Sequence, residues 1–226
     1  MYKIRVLYTK SKEASYISHL DLMLVMQRSL KRANINVKHS EGYNPRPEIV
    51  FAHPLSVGIE SIGELCEIQL EDKYDESLFV KLLNNTLPTG ITVLNATYIE
   101  GKDSLMAAVE SAEYEVEFEI PEDVVANSTT KDLEKLNNEI CTTFEKYYSQ
   151  EAILVKKKNK KGVEVEIDIK QLIISREILA PNKYLFRVKA GSKENLKPEL
   201  IVQGFQEFIG GKIENSIKRV KINLNK

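Results

Sequence analysis

The order in which hydrophobic periodicity switches between two residues and about 3.6 residues constrains this chain most. Residues 2–9 alternate around Ile4, Val6 and Tyr8, as a half-buried strand does. Ser18 precedes Asp21 by three positions, a capping-box-like start that predicts a helix over 18–33. At 100° per residue, Leu22, Met23, Met26, Leu30 and Ala33 share one face of it, and Asp21, Arg28 and Arg32 the other. Asn34-Ile35-Asn36 stops the helix. Strands are predicted at Ile49-Val50-Phe51 and from Glu64 to Leu70, then a helix from Asp75 to Leu87 through Leu78, Phe79, Leu82 and Leu83. Pro88 and Gly90 end that helix, and Ile91 to Ile99 reads as a strand. The order is βαββαβ.

The same order recurs downstream. Tyr114, Val116, Phe118 and Ile120 form one face of a strand whose other face is Glu113, Glu115, Glu117 and Glu119. Residues 130–148 suit a helix with Leu133, Leu136, Ile140 and Phe144 inward. Ile153 to Lys158 and Val163 to Ile169 form a predicted hairpin around Asn159-Lys160-Lys161-Gly162. A strand over 184–188, a helix over 196–209 with Pro198 in its first turn, and a strand over 217–224 complete the pattern. The expected class is α+β, with two tandem ferredoxin-like (βαββαβ) modules built on antiparallel sheets. The first spans 1–102, and the second spans 112–226 with an extra strand pair around 163–180. The duplication is one of pattern; no residue-level repeat accompanies it.

The 226 residues carry 32 Lys+Arg against 33 Asp+Glu, with 42% hydrophobic residues, an ordinary globular balance. The neutral total conceals a segregation. Residues 1–59 hold nine basic and four acidic residues (+5), residues 60–150 six and twenty (−14), and residues 151–226 seventeen and nine (+8). Such a chain either gathers one positive face suited to phosphate-bearing partners or pairs its acidic middle with its basic ends. No apolar run reaches the eighteen residues of a membrane span, and no signal peptide is read at the N-terminus, so the cytoplasm is expected. Cys66 and Cys141, 75 positions apart, supply no metal-ligand spacing and read as small buried hydrophobes. The phosphate-loop, dinucleotide and serine-hydrolase motifs are missing, and no cofactor is expected.

Chemistry-bearing residues concentrate near the N-terminus. His19, His39 and His53 are the three histidines, and general acid–base catalysis near neutral pH would use one of them. His19 falls toward the apolar side of its helix, where it also reads as a capped core residue. Spacing alone does not bring the three to one metal. Gly42-Tyr43-Asn44-Pro45-Arg46-Pro47 is the most unusual segment. Its prolines fix an extended ribbon, which presents Tyr43 for base stacking, with Asn44 beside it, and Arg46 for phosphate contact. The other reading is a loop packed across the sheet with Tyr43 buried. Arg28 and Arg32, with Lys157, Lys158, Lys160 and Lys161 on the hairpin tip, are further candidate phosphate contacts, although a lysine-rich turn is equally a solvated tip. The acidic row from Glu113 to Glu119 and a similar row of Glu164, Glu166 and Asp168 need compensation, and Arg187 and Lys189, or Arg219 and Lys221, are candidates to lie beside either row.

Tyr16-Ile17-Ser18-His19-Leu20-Asp21, Arg28, Ser40-Glu41-Gly42-Tyr43-Asn44-Pro45-Arg46-Pro47, and Pro54-Leu55-Ser56-Val57-Gly58 with Glu64 together resemble the radical SAM-linked protein family. That family is a bacterial domain of unknown function, found alone or fused to a radical SAM protein with a cobalamin-binding domain. Gly191 with Lys197-Pro198-Glu199 resembles its second module. The resemblance implies a partner relationship. The chain has no C-x-x-x-C-x-x-C to hold a radical SAM cluster, so it would bind substrate or dock the enzyme. The leading expectation is a non-enzymatic accessory protein that binds RNA, docks a partner radical SAM enzyme, or both. A metal-independent endoribonuclease using one of the histidines and a pure protein–protein adaptor stand beside it; the duplicated fold pattern is similar to that of the repeat-processing endonucleases of CRISPR systems.

Overall fold

The computed structural model describes residues 1–101, 103–121, 125, 128–158 and 162–225. The chain divides into two compact units, one of residues 1–111 with 218–226 and one of residues 112–217. Both are mixed α+β, and their strand pairing is mostly antiparallel.

The first unit begins with β1 (Tyr2–Lys10), a short α1 (Lys12–Ser15) and α2 (His19–Arg32). It continues through β2 (Ile49–Phe51), β3 (Glu60–Leu70), α3 (Glu76–Asn84), β4 (Ile91–Tyr98) and α4 (Leu105–Ala108) into β5 (Val109–Glu119). β1 is antiparallel to both neighbours, with Val6 opposite Cys66 on β3 and opposite Ala96 on β4. β2 pairs with β3, Phe51 opposite Cys66. Strand alternation puts Ile4, Val6 and Tyr8 on the buried face, against Leu22, Met26 and Leu30 of α2 and Phe79 and Leu83 of α3. Local chemistry sets the helix starts. Ser18 Oγ accepts from Asp21 N, and Asp75 accepts from Leu78 N, each satisfying an amide that the first turn leaves open. Past α2, Asn34 takes a left-handed φ of 54° and turns the chain back to the sheet.

The second unit carries α5 (Thr130–Tyr148), β6 (Leu154–Lys158), β7 (Glu164–Asp168), β8 (Ile173–Ala180), β9 (Lys183–Lys189), α6 (Glu199–Ile209) and the start of β10 (Glu214–Leu224). β6 and β7 form their own two-stranded sheet, in which Lys156 lies opposite Glu166 and Lys158 opposite Glu164. β8 and β9 form an antiparallel hairpin beside β5, turned at Asn182 with φ 60°. The core is aromatic: Phe144 lies 4.4 Å from Tyr184 and 5.0 Å from both Phe118 and Phe205, centroid to centroid. A reciprocal capping box of Thr129 and Asp132 starts α5.

Residues 218–226 group with the first unit. There β10 runs parallel to β3, with Lys218 opposite Glu60 and Arg219 opposite Ser61, and Asn225 N–H donates to Ala108 O. The pairing is close: a Cβ on Gly63 would sit 2.3 Å from Val220 O, so glycine is required there. On the acidic row of β5, Glu115 and Glu117 pair with Lys183 at the start of β9. Lys183 lies 2.9 Å from Glu115 and 3.3 Å from Glu117. Lys189 pairs with Glu194, and Arg219 with Glu64.

Candidate binding site

The segment 40–47 is a closed projection. Ser40 N–H donates to Arg46 O at 2.8 Å, Arg46 N–H donates to Ser40 Oγ at 3.1 Å, and His39 bridges to Pro47 at its base. Gly42 takes φ 125°, open to glycine and strained for other residues. Above this closure Tyr43 is 100% exposed, and Asn44 and Arg46 are exposed with it. The alternative of a loop packed across the sheet with Tyr43 buried is therefore overturned. Ser40–Arg46 closure and the two prolines set the shape while leaving the phenol ring without packing partners in its own unit.

Two cavities flank the projection. One, of about 840 Å³, is lined by Arg28, Lys31, Asn36, His39, Pro47 and Asp72 among others. The second, of about 380 Å³, includes Lys3, Ser40, Arg46, Pro47 and Glu67. Pro47 thus lines both, Arg28 and His39 one, and Arg46 the other. His39 Nδ1 donates to Val37 O at 2.8 Å, which fixes the ring and leaves Nε2 as its second polar atom. Arg32 is exposed but held: its guanidinium donates to Thr86 O at 2.6 Å and to Ser29 Oγ at 2.9 Å.

His19 and His53 belong to a different constellation. The loops 15–21 and 53–58 meet where Gly58 N–H donates to Ser15 O, over a buried charged group. Arg219, fully buried, makes a bidentate pair with Glu64, both contacts at 2.6 Å, and donates also to His53 O at 2.9 Å and Pro54 O at 3.3 Å. Lys10, 2% exposed, donates from Nζ to Ile17 O at 2.7 Å and Ser15 O at 3.2 Å. Backbone carbonyls of the two loops are thus clamped by cations from β1 and β10. Burial pushes the Lys10 ammonium below its ordinary range, with Glu64 opposing. Burial also pushes the Tyr8 hydroxyl well up, reinforced by Glu64. His19 stands edge-on to Phe51 at 5.4 Å, and its pKa is lowered by burial, opposed by Glu64 and reinforced by Lys10.

Lys10 was not singled out by sequence, and Arg219 was read only as a candidate partner for the acidic strand rows. Glu64 was singled out, and its position among Leu65, Cys66 and Ile68 is the signal that a buried cation must face it. Of the lysine tip, Lys157 is exposed at the end of β6. Lys158 is described only through its place in β6, and Lys160 and Lys161 lie outside the described residues. Among the described residues no group of three or more His, Cys, Asp or Glu is placed to hold a metal ion. No described helix is long and apolar enough to cross a membrane.

These features define a mixed α+β protein with an exposed aromatic–arginine projection on its first unit. Residues 3–198 match the model of a family described as an uncharacterized protein conserved in bacteria (DUF2344), and the chain belongs to that family. No curated protein matches the sequence. Among solved structures the chain is similar to one in the crystal structure of a Cbf5-Nop10-Gar1 complex, at 10% identity and a TM-score of 0.41. The similarity covers 98% of this chain and 49% of that one, so the chain spans about half its length.

Proposed function

We propose that the protein is a non-enzymatic accessory protein that binds RNA through the 40–47 projection and serves a radical SAM protein carrying a cobalamin-binding domain, in the cytoplasm. The observation that carries this is the complete exposure of Tyr43 beside Arg46 on a projection closed by its own hydrogen bonds. An aromatic face stacks on any base, an arginine grips the neighbouring phosphate, and a shape fixed before binding loses little ordering entropy. Of the histidines, His19 packs on Phe51 away from the projection, while His39 is held to Val37 O at its base. The radical SAM partner rests on the resemblance of the 16–21, 40–47 and 54–64 motifs. We further read each unit as a ferredoxin-like module. The strand orders β4-β1-β3-β2 and β10-β5-β9-β8 are the same permutation, with β6 and β7 inserted in the second.

Fluorescence anisotropy with single-stranded RNA tests the reading. Affinity is expected to fall on the order of a hundredfold between about 50 and 200 mM salt. Arg46→Ala and Tyr43→Ala are each expected to weaken binding about tenfold while the melting temperature stays put, because exposed side chains contribute little to folding. Salt-independent weak binding, or affinity unchanged in both variants, would refute it.

A further inference from the structure

We infer that the larger cavity beside the 40–47 projection binds a guanine nucleotide, free or as one residue of an RNA chain, with the base against Asn36 and Asp72 and the phosphate against Arg28 and Lys31. At about 840 Å³ the cavity falls within the roughly 300–1,000 Å³ of small-molecule sites. Its floor is apolar: Leu30, Ile35 and Val37 line it and are each no more than 7% exposed. The walls are sorted by charge. α2 contributes Arg28 and Lys31, three positions apart and both exposed. Among the described residues neither head meets a carboxylate or a hydrogen-bond acceptor. Arg32 beside them is instead held by Thr86 O and Ser29 Oγ. The segment after β3 contributes Glu71 and Asp72. A ligand with a phosphate at one end and N–H donors at the other fits this sorting, because the two carboxylates repel phosphate and direct it to α2.

A hydrogen-bonded pair specifies the base. Asn36 Nδ2 donates to Asp72 Oδ2 at 2.5 Å. The backbone of Asn36 is held on both sides: its N–H donates to the Tyr74 hydroxyl and its carbonyl accepts from Glu71 N–H, each at 3.0 Å. With one Nδ2 hydrogen engaged by Asp72, the pair still offers the second Nδ2 hydrogen and the remaining lone pairs of Oδ2 and Oδ1. One donor followed by two acceptors complements the guanine Watson–Crick edge of O6, N1–H and N2–H. Adenine, cytosine and uracil each have a single donor group on that edge and would set a lone pair against the carboxylate. His39, its ring fixed by Val37 O, and Pro47 complete the wall against which the base packs. The backbone contacts set this wall before binding, so little ordering entropy opposes association. Neither Tyr43 nor Arg46 lines the cavity, so the site stands apart from the RNA reading.

Isothermal titration of the full chain with guanosine 5′-monophosphate is expected to show one site, with adenosine 5′-monophosphate about tenfold weaker, the discrimination of a bidentate base contact. Asp72→Asn should erase that preference by weakening the guanine nucleotide alone. Arg28→Ala combined with Lys31→Ala should weaken both nucleotides about tenfold, to the level of the nucleosides, and keep the preference for guanine. Arg28, Lys31 and Asp72 are exposed, so both variants should keep the parent melting temperature. No binding at about 1 mM nucleotide, equal binding of the two nucleotides, or affinity unchanged in Asp72→Asn overturns the proposal. Oligouridylate with and without one guanine separates the sources. Tighter binding of the guanine-bearing strand, lost in Asp72→Asn, assigns the site to RNA, and binding of the mononucleotide alone assigns it to a free nucleotide. RNA binding that needs Tyr43 and Arg46 while no mononucleotide binds overturns this inference and leaves the RNA reading standing; mononucleotide binding without RNA binding does the reverse.

Discussion

His19 shows how one side chain can look catalytic in a sequence and be structural in the fold. Its ring lies against Phe51, and burial disfavours the imidazolium more strongly than Glu64 favours it. The folded pKa therefore lies below the unfolded one. The stability contributed by the neutral ring is fully present above the unfolded value of about 6.5 and is lost as pH falls through that value toward the folded one. His19→Phe should flatten the fall in urea midpoint between about pH 7 and pH 5 relative to the parent. Parallel pH profiles for the two proteins would show that His19 titrates as if unfolded. The polarity pattern legible in the sequence put His19 toward the apolar side, and that placement holds. Which carboxylate and which cation it faces was not legible, because Lys10 and Glu64 reach it from other strands.

α2 is the element whose inward face was most fully readable. Leu22, Met26 and Leu30 are buried, and the N-cap Ser18 sits where the spacing to Asp21 indicates. Leu30→Ala is expected to cost roughly 2–5 kcal/mol in chemical denaturation, as a fully enclosed leucine does. A loss below about 1 kcal/mol would mean the site collapses on the void or is less enclosed than its 1% exposure indicates. The outward face was read through Asp21, Arg28 and Arg32 alone. Leu20 and Leu24 lie on that same side, 71% and 46% exposed. The 40–47 ribbon divided in the same way: its proline-fixed shape was legible, whereas exposure of Tyr43 depended on where the sheet lay beneath it.

For the whole molecule, the decisive event is the return of the chain's last strand to the first unit. Arg219 is buried completely there, with both its contacts to Glu64 at 2.6 Å and loop carbonyls on two of its three remaining hydrogens. Removing one member of such a pair strands a buried charge. Arg219→Met is therefore expected to destabilise the protein by about 3–5 kcal/mol in urea unfolding. Arg219→Met combined with Glu64→Leu should recover a measurable part of that loss, since both charges then leave the interior together. Additive losses would show that the two residues act separately. The 53–58 loop should loosen in the single variant, read as faster amide exchange at Gly58 and Ile59.

Element type, order and buried faces were determined by the sequence itself, because periodicity, caps and turn residues act over a few neighbouring positions. The α+β class, the capping of α2 and α3, and the aromatic inner face of β5 all follow from such local rules. Tertiary structure alone decided the partners. Lys183 answers Glu115 and Glu117, Arg219 answers Glu64 across 155 positions, and residues 218–226 group with residues 1–111. Coulomb attraction and sheet pairing carry no memory of sequence distance. A charge pattern along the chain states that compensation is required, and only the folded register selects which residue provides it.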